Sequence, residues 1–169
     1  MERIFLSGNH ENRLARCCES DSSLVGTLSL KMCRVHEVYD VVGDYTGSTP
    51  SIVNRGDVNF AHFAISGTMC RPLSSQVNLG SQLLNKMHSS FVVGHSHIFS
   101  HAVQTISGPV NKQIHGLSAG CMISEKDNHA WAGTSQALWV RGAALLHRVQ
   151  NGAFDLEWWS LPRIRETFR

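Results

Sequence analysis

Two short apolar runs in this chain end in glycine and hand over at once to side chains that bind metals or move protons. Ile4-Phe5-Leu6-Ser7 leads into Gly8-Asn9-His10-Glu11, and Phe91-Val92-Val93 leads into Gly94-His95-Ser96-His97. An apolar run of this length reads as a buried strand, and the carboxyl ends of strands are where open α/β sheets place their ligands. Two such deliveries in one short chain constrain it to a fold that gathers several strand tips into one site.

The remaining segments alternate between helix and strand signals. Glu11–Glu19 has helical composition, with Leu14, Cys17 and Cys18 on one face and Arg13 and Arg16 turned to solvent or ligand; Asp21-Ser22-Ser23 ends it. Ser29–Val42 lacks a clean period and reads as a helix followed by a strand at Val38–Val42, and Gly43–Pro50 is a loop. Ile52–Val53 and Val58–Ala64 form a hairpin pattern around Asn54-Arg55-Gly56-Asp57, with His62 near the end of the second strand. A helix opening at Pro72–Ser75 and running to Met87 is expected to bury Val77, Leu83, Leu84 and Met87. Short strands follow at His115–Ala119, Ala137–Val140, Ala143–Val149 and Phe154–Leu161, the last two joined by the hairpin dipeptide Asn151-Gly152. Trp158-Trp159 alternates across its strand, so one ring is expected in the core and the other over an edge or helix. The expectation is one α/β domain over residues 1–169.

A chain of 169 residues suits a single domain with a real core, and 42% hydrophobic against 17% charged residues is ordinary for a globular protein. The net charge of +2 is small and the basic residues are scattered, so charge does not indicate a nucleic-acid partner, although a nucleic acid stays open as a substrate. Cys17, Cys18, Cys33, Cys70 and Cys121 contain no C-x-x-C pair, and the odd count suits reduced thiols. No basic-then-apolar leader opens the chain and no apolar run is long enough to span a bilayer, which points to a cytoplasmic protein without a membrane partner.

Ten histidines raise the expectation of a metal site. A hydrolytic centre needs carboxylate, imidazole or amide-oxygen ligands, with positions left open for water and substrate. Asn9 offers a neutral oxygen, and His62, His95 and His97 offer nitrogen. In a strand His95 and His97 would share a direction that Ser96 does not; in a loop just past a strand the same spacing lets two imidazoles reach two neighbouring ions. His88, His101, His115, His129 and His147 have no partner motif and read as surface or packing residues. Gly43-Asp44, after Val41-Val42, is read as a loop turn.

Gly-Asn-His-Glu-Asn-Arg-Leu after one apolar strand and Val-Val-Gly-His-Ser-His at the end of another resemble two motifs of the calcineurin-like metallophosphoesterases of phage and bacterial type, GNH[ED] and GH-x-H. The segment around Gly120-Cys121 and Trp131–Trp139 is similar to the closing region of small members. The resemblance implies an α/β, two-sheet sandwich flanked by helices, and hydrolysis of a phosphate ester at two divalent metal ions, with Mn, Fe, Zn and Ni all suited to such ligands. It implies that Asn9, His62 and His95 hold one ion, that His97 belongs to the other, and that His10 contacts the phosphate and protonates the leaving group. Arg13 is a candidate phosphate contact by its position. His62 is followed by Phe63 where the family carries His-Gly.

The family's earlier Asp-x-His and Gly-Asp motifs have no counterpart ahead of Ile4, which implies an N-terminally truncated domain. One ion would keep three ligands and the other a single one. The chain alone is therefore expected to be a poor hydrolase that needs a separate N-terminal segment, or self-association, to cover an open sheet edge at Ile4–Leu6. The alternative expectation is a non-catalytic descendant that acts as an interaction or structural module.

Overall fold

The computed structural model describes residues 2–47, 49–127 and 130–168, so His129 lies outside the described residues. The chain is mixed α/β, with several sheets and a few helices, and divides into two compact units, residues 1–53 and 54–169.

The first unit is small. Strand β1 (Ile4–Leu6) pairs in parallel with β2 (Val41–Gly43), in the register Ile4↔Val41, Phe5↔Val42 and Leu6↔Gly43. Between them lie helix α1 (Asn12–Ser20), a 3₁₀ turn at Ser22–Leu24 and the single-turn helix α2 (Val35–Val38). Helix α1 has the expected extent but buries none of its residues, and Cys17 is exposed. Its apolar positions line a cleft and do not join a core. A two-stranded ribbon of β3 (Tyr45–Thr46) and β4 (Thr49–Pro50) follows, within the stretch expected to be loop.

The second unit is organised around a five-stranded sheet in the order β10-β11-β9-β6-β5, made of β5 (Val53–Arg55), β6 (Val58–Ala61), β9 (Ser90–Val93), β10 (Phe99–Ile106) and β11 (Lys112–Ala119). A small ribbon of β7 (Ile65–Ser66) and β8 (Arg71–Pro72) and then helix α3 (Leu79–Met87) connect β6 to β9. The expected helix starts later than its sequence signals, because Val77 is 87% exposed and lies before its first turn. The buried stripe is Leu79, Gly80, Leu83 and Leu84, with Met87 packed at its margin.

Because β6, β9 and β11 run parallel through the middle of the sheet, β9 is covered on both faces and all four of its residues are buried. That explains its continuous apolar run. Phe91 and Val93 face Leu79 and Leu83 of α3 together with Ala61, Ala64 and Ile98. Val92 looks the other way, into a cluster with Val58, Leu117 and Phe154. The second cluster is closed by the antiparallel hairpin of β12 (Gly142–Gln150) and β13 (Ala153–Ser160). Its turn is Asn151-Gly152, with φ of 51° and 81°, as a two-residue hairpin of primed type requires. Trp158 packs on Phe99 at 4.4 Å, whereas Trp159 sits against Phe168, next to the closing helix α4 (Leu161–Thr167).

Two sequence expectations fail here. Strand β10 carries no strand signal in the sequence, because its pattern is polar and most of it is exposed on the sheet edge. The expected strand at Ala137–Val140 does not form: Ala137 and Leu138 end the 3₁₀ turns over Ala130–Leu138, broken at Gly133 (φ 52°), and Trp139 and Val140 lie outside regular elements. Val140 is tied to two loops: its N–H donates to the His97 carbonyl, and its own carbonyl accepts from the Cys121 N–H.

Candidate functional site

In the first unit the Gly8-Asn9-His10-Glu11 motif forms the turn that carries β1 into α1. The Gly8 carbonyl accepts from the Asn12 N–H at 3.1 Å, and the Gly8 N–H donates to the Glu11 carboxylate at 2.7 Å. A charge-assisted bond of that length pins the turn at its base. Asn9 is half-buried, while His10 and Arg13 are exposed. Asp44 follows β2 at the same end of the parallel pair, because Gly43 is in register with Leu6 and its carbonyl accepts from the Ser7 N–H at 2.9 Å. The expected loop turn at Gly43-Asp44 does not form: Gly43 is the last residue of β2, and Asp44 alone separates it from β3. The parallel pairing puts Asp44 at the strand tip beside the Gly8–Glu11 turn. The signal was the same apolar-run-then-Gly pattern, on a shorter scale.

In the second unit, β6 and β9 end level with each other, Ala61 opposite Val93. The next residues are His62 on one strand and Gly94-His95 on the other. The His62 carbonyl accepts from both the Gly94 N–H, at 3.2 Å, and the His95 N–H, at 3.0 Å. This backbone clasp brings the two side chains together, with His62 Nε2 3.1 Å from His95 Nδ1 and the rings edge to face at 5.0 Å. The buried Phe63 ring packs against both imidazoles. Here a phenylalanine, where the resembling family has glycine, supplies an apolar wall.

His95 and Ser96 sit in a turn, not a strand, so alternation does not govern where His97 points. His97 itself adopts φ 57°, a left-handed conformation that costs energy for a residue with a Cβ. Two contacts hold it there: its carbonyl accepts from the Val140 N–H at 2.9 Å, and its ring packs edge-on against Trp139 at 4.5 Å. Trp139 is 8% exposed and was not singled out from sequence for this role. The intervening Ser96 Oγ is enclosed and has no hydrogen-bond partner among protein atoms.

His62 Nε2 and His95 Nδ1, 3.1 Å apart, are at hydrogen-bond distance, one ring donating and the other accepting; two imidazoles on one ion at about 2.0–2.1 Å each would be separated by a similar roughly 3 Å. Among the described residues, no three His, Cys, Asp or Glu side chains converge on one point. Asn9, His10 and Arg13 belong to the first unit, and His62, His95 and His97 to the second.

A different pair, His101 on β10 and His115 on β11, also meets, with Nε2 and Nδ1 3.2 Å apart beneath Phe154. Desolvation lowers the affinity of both rings for a proton, and in His115 the neighbouring His101 adds to the effect.

Comparison of the chain with protein-family models, with curated proteins and with solved structures finds no match. Among the described residues, no helix is long and apolar enough to cross a membrane.

Proposed function

We propose that this chain is a metal-dependent phosphoesterase. The single observation that carries the reading is the His62–His95 pair at adjacent parallel strand tips, its nitrogens 3.1 Å apart, in a chain that also holds the Gly8-Asn9-His10-Glu11 turn. In this reading His62 and His95 hold one divalent ion, and His97 contributes to a second. The metals, once bound, supply Lewis-acid polarisation of the phosphoryl oxygens and a lowered pKa for bound water.

The protein groups do the rest. The His62 carbonyl fixes the His95 backbone, and Phe63 excludes water from one side of the imidazole pair. Val140 and Trp139 keep His97 in its left-handed turn. His10 is exposed on a turn braced by Glu11, and in this reading it is the general acid that delivers a proton to the departing oxygen. Arg13, one helical turn further on, is the basic group offered to the phosphate.

The test compares metal content and turnover in two variants. Manganese-, nickel- or zinc-loaded protein is assayed on bis(p-nitrophenyl) phosphate and p-nitrophenyl phosphate, with metal measured by plasma mass spectrometry. His10→Ala should lower kcat, already low in the chain alone, by about 100-fold at unchanged metal content, the usual worth of a general acid. His95→Ala should lose metal. Equal metal loss in the two variants, or no metal bound by the parent chain, overturns the reading.

A further inference from the structure

The first unit contains a cleft of about 560 Å³ between the carboxyl ends of β1 and β2 and the inner side of α1. It falls in the size range of small-molecule sites. Its two walls differ in chemistry. One is apolar, formed in part by Leu14 and Ala15 of α1 and by Leu28 from the loop beyond it. The other is polar, with the exposed Asp44 and the half-buried Tyr45. Ser7, only 1% exposed, is among its lining residues, and its Oγ has no hydrogen-bond partner among the described residues. A buried hydroxyl left unpaired costs free energy, so its presence in the wall of a cleft points to a ligand group that completes it. Helix α1 adds a second sign: it is amphipathic, yet none of its residues is buried, and its apolar side forms the cleft wall.

We infer that this cleft binds a nucleoside, the alcohol half of a nucleotide ester. A nucleoside has apolar faces that fill the Leu14–Leu28 wall, and amino and hydroxyl donors on its edges for Asp44 and Ser7. A carboxylate accepting from an exocyclic amine is an established mode of base recognition, and an aromatic ring such as Tyr45 is a platform for stacking. The walls argue against the other common alcohols. A sugar alone would leave the apolar side uncovered, and an acyl chain would strand Asp44 and Ser7 without partners. A polyphosphate would meet the Asp44 charge. The inference rests on the phosphoesterase reading only for what happens to the ligand, since His10 lies in the same turn that supplies Ser7 and Glu11 to the cleft.

The experiment is titration of the full chain with adenosine, in chelator and without added metal, by calorimetry and by backbone-amide NMR. Adenosine should bind saturably, shifting amides of residues 7–18 and 44–46. Ala15→Trp, a change at an exposed helix position that the fold tolerates, should abolish binding while leaving the thermal transition unchanged. Asp44→Asn should weaken it about tenfold, the worth of one hydrogen bond to a charged acceptor. ADP should bind more weakly than adenosine. Absence of saturable adenosine binding, or binding that survives Ala15→Trp in a folded variant, overturns the inference. Because no metal is present, this result is independent of the His10 and His95 assays. If adenosine binds while those assays fail, the nucleoside site stands and the hydrolase reading falls; the reverse outcome sinks only the nucleoside site.

Discussion

Replacing Gly116 by alanine tests the packing that holds the candidate histidines in place. Gly116 lies on β11 where α3 crosses the sheet, and Gly80 of α3 meets it backbone to backbone. A Cβ at residue 116 would stand 2.1 Å from the Gly80 carbonyl oxygen, 2.9 Å from its carbon and 3.2 Å from Leu83 Cβ. Ordinary contact between such atoms is near 3.5 Å or beyond, so α3 must retreat by about an ångström or more. No flexible side chain can absorb this, because the first two obstacles are backbone. The retreat loosens Leu79 and Leu83, both 0% exposed, from Phe91 and Val93, the strand that leads directly to His95.

Overpacking of this kind costs typically 1–3 kcal/mol, and the lost contacts along the helix put Gly116→Ala at the upper end, about 3 kcal/mol. For a unit of this size that corresponds to a drop in Tm of roughly 10 °C. Circular-dichroism melting of the variant against the parent measures it. Gly108→Ala is the control, since the nearest atom to its Cβ is a carbonyl at 3.6 Å and its Tm should stay within about 2 °C of the parent. If Gly116→Ala melts with the parent, α3 does not approach β11 as closely as described and the account of how β9 is held collapses.

Other expectations follow from the same structure. Leu83→Ala removes a fully buried side chain from the α3 face of the sheet and should cost about 2–5 kcal/mol in urea unfolding, whereas Val77→Ala, at an 87% exposed position, should cost less than about 0.5. The His101–His115 pair makes stability depend on pH: both folded pKa values lie below the usual 6.5, so the unfolded chain binds more protons as pH falls. The urea midpoint should therefore decline as pH drops below about 6.5, and the decline should shrink in His115→Gln, whose side chain cannot charge; an unchanged slope counts against the pair as its source. Among the described residues β1 pairs in a sheet with β2 alone, and an edge strand of this kind predicts that the chain associates as concentration rises in sedimentation velocity. A monodisperse monomer across the micromolar range refutes that expectation.

Elements whose signal is local were legible from sequence alone. Asn151-Gly152 specifies its hairpin because only a few residue types tolerate two successive positive φ angles. The Phe91–Val93 run announces a strand buried on both faces, and the Gly8–Glu11 and Gly94–His97 segments announce turns rich in ligand atoms. The class of the fold and the identity of the candidate histidines belong to this part.

What required tertiary structure is everything set by pairing between distant segments. The start of α3 depends on which residues reach the sheet, so Leu79 is buried and Val77 is not. The edge strand β10 carries no apolar alternation strong enough to read, because much of it faces water. Asp44 joins the Gly8–Glu11 turn through the parallel register of β1 and β2, two strands separated by more than thirty residues. The 3.1 Å approach of His62 to His95 likewise follows from β6 and β9 ending level and from one carbonyl clasping two amides. Composition and periodicity report what a segment prefers with its nearest neighbours in the chain. Register between strands is decided by the packing of side chains on both faces of the sheet, and that packing exists only once the whole fold has formed.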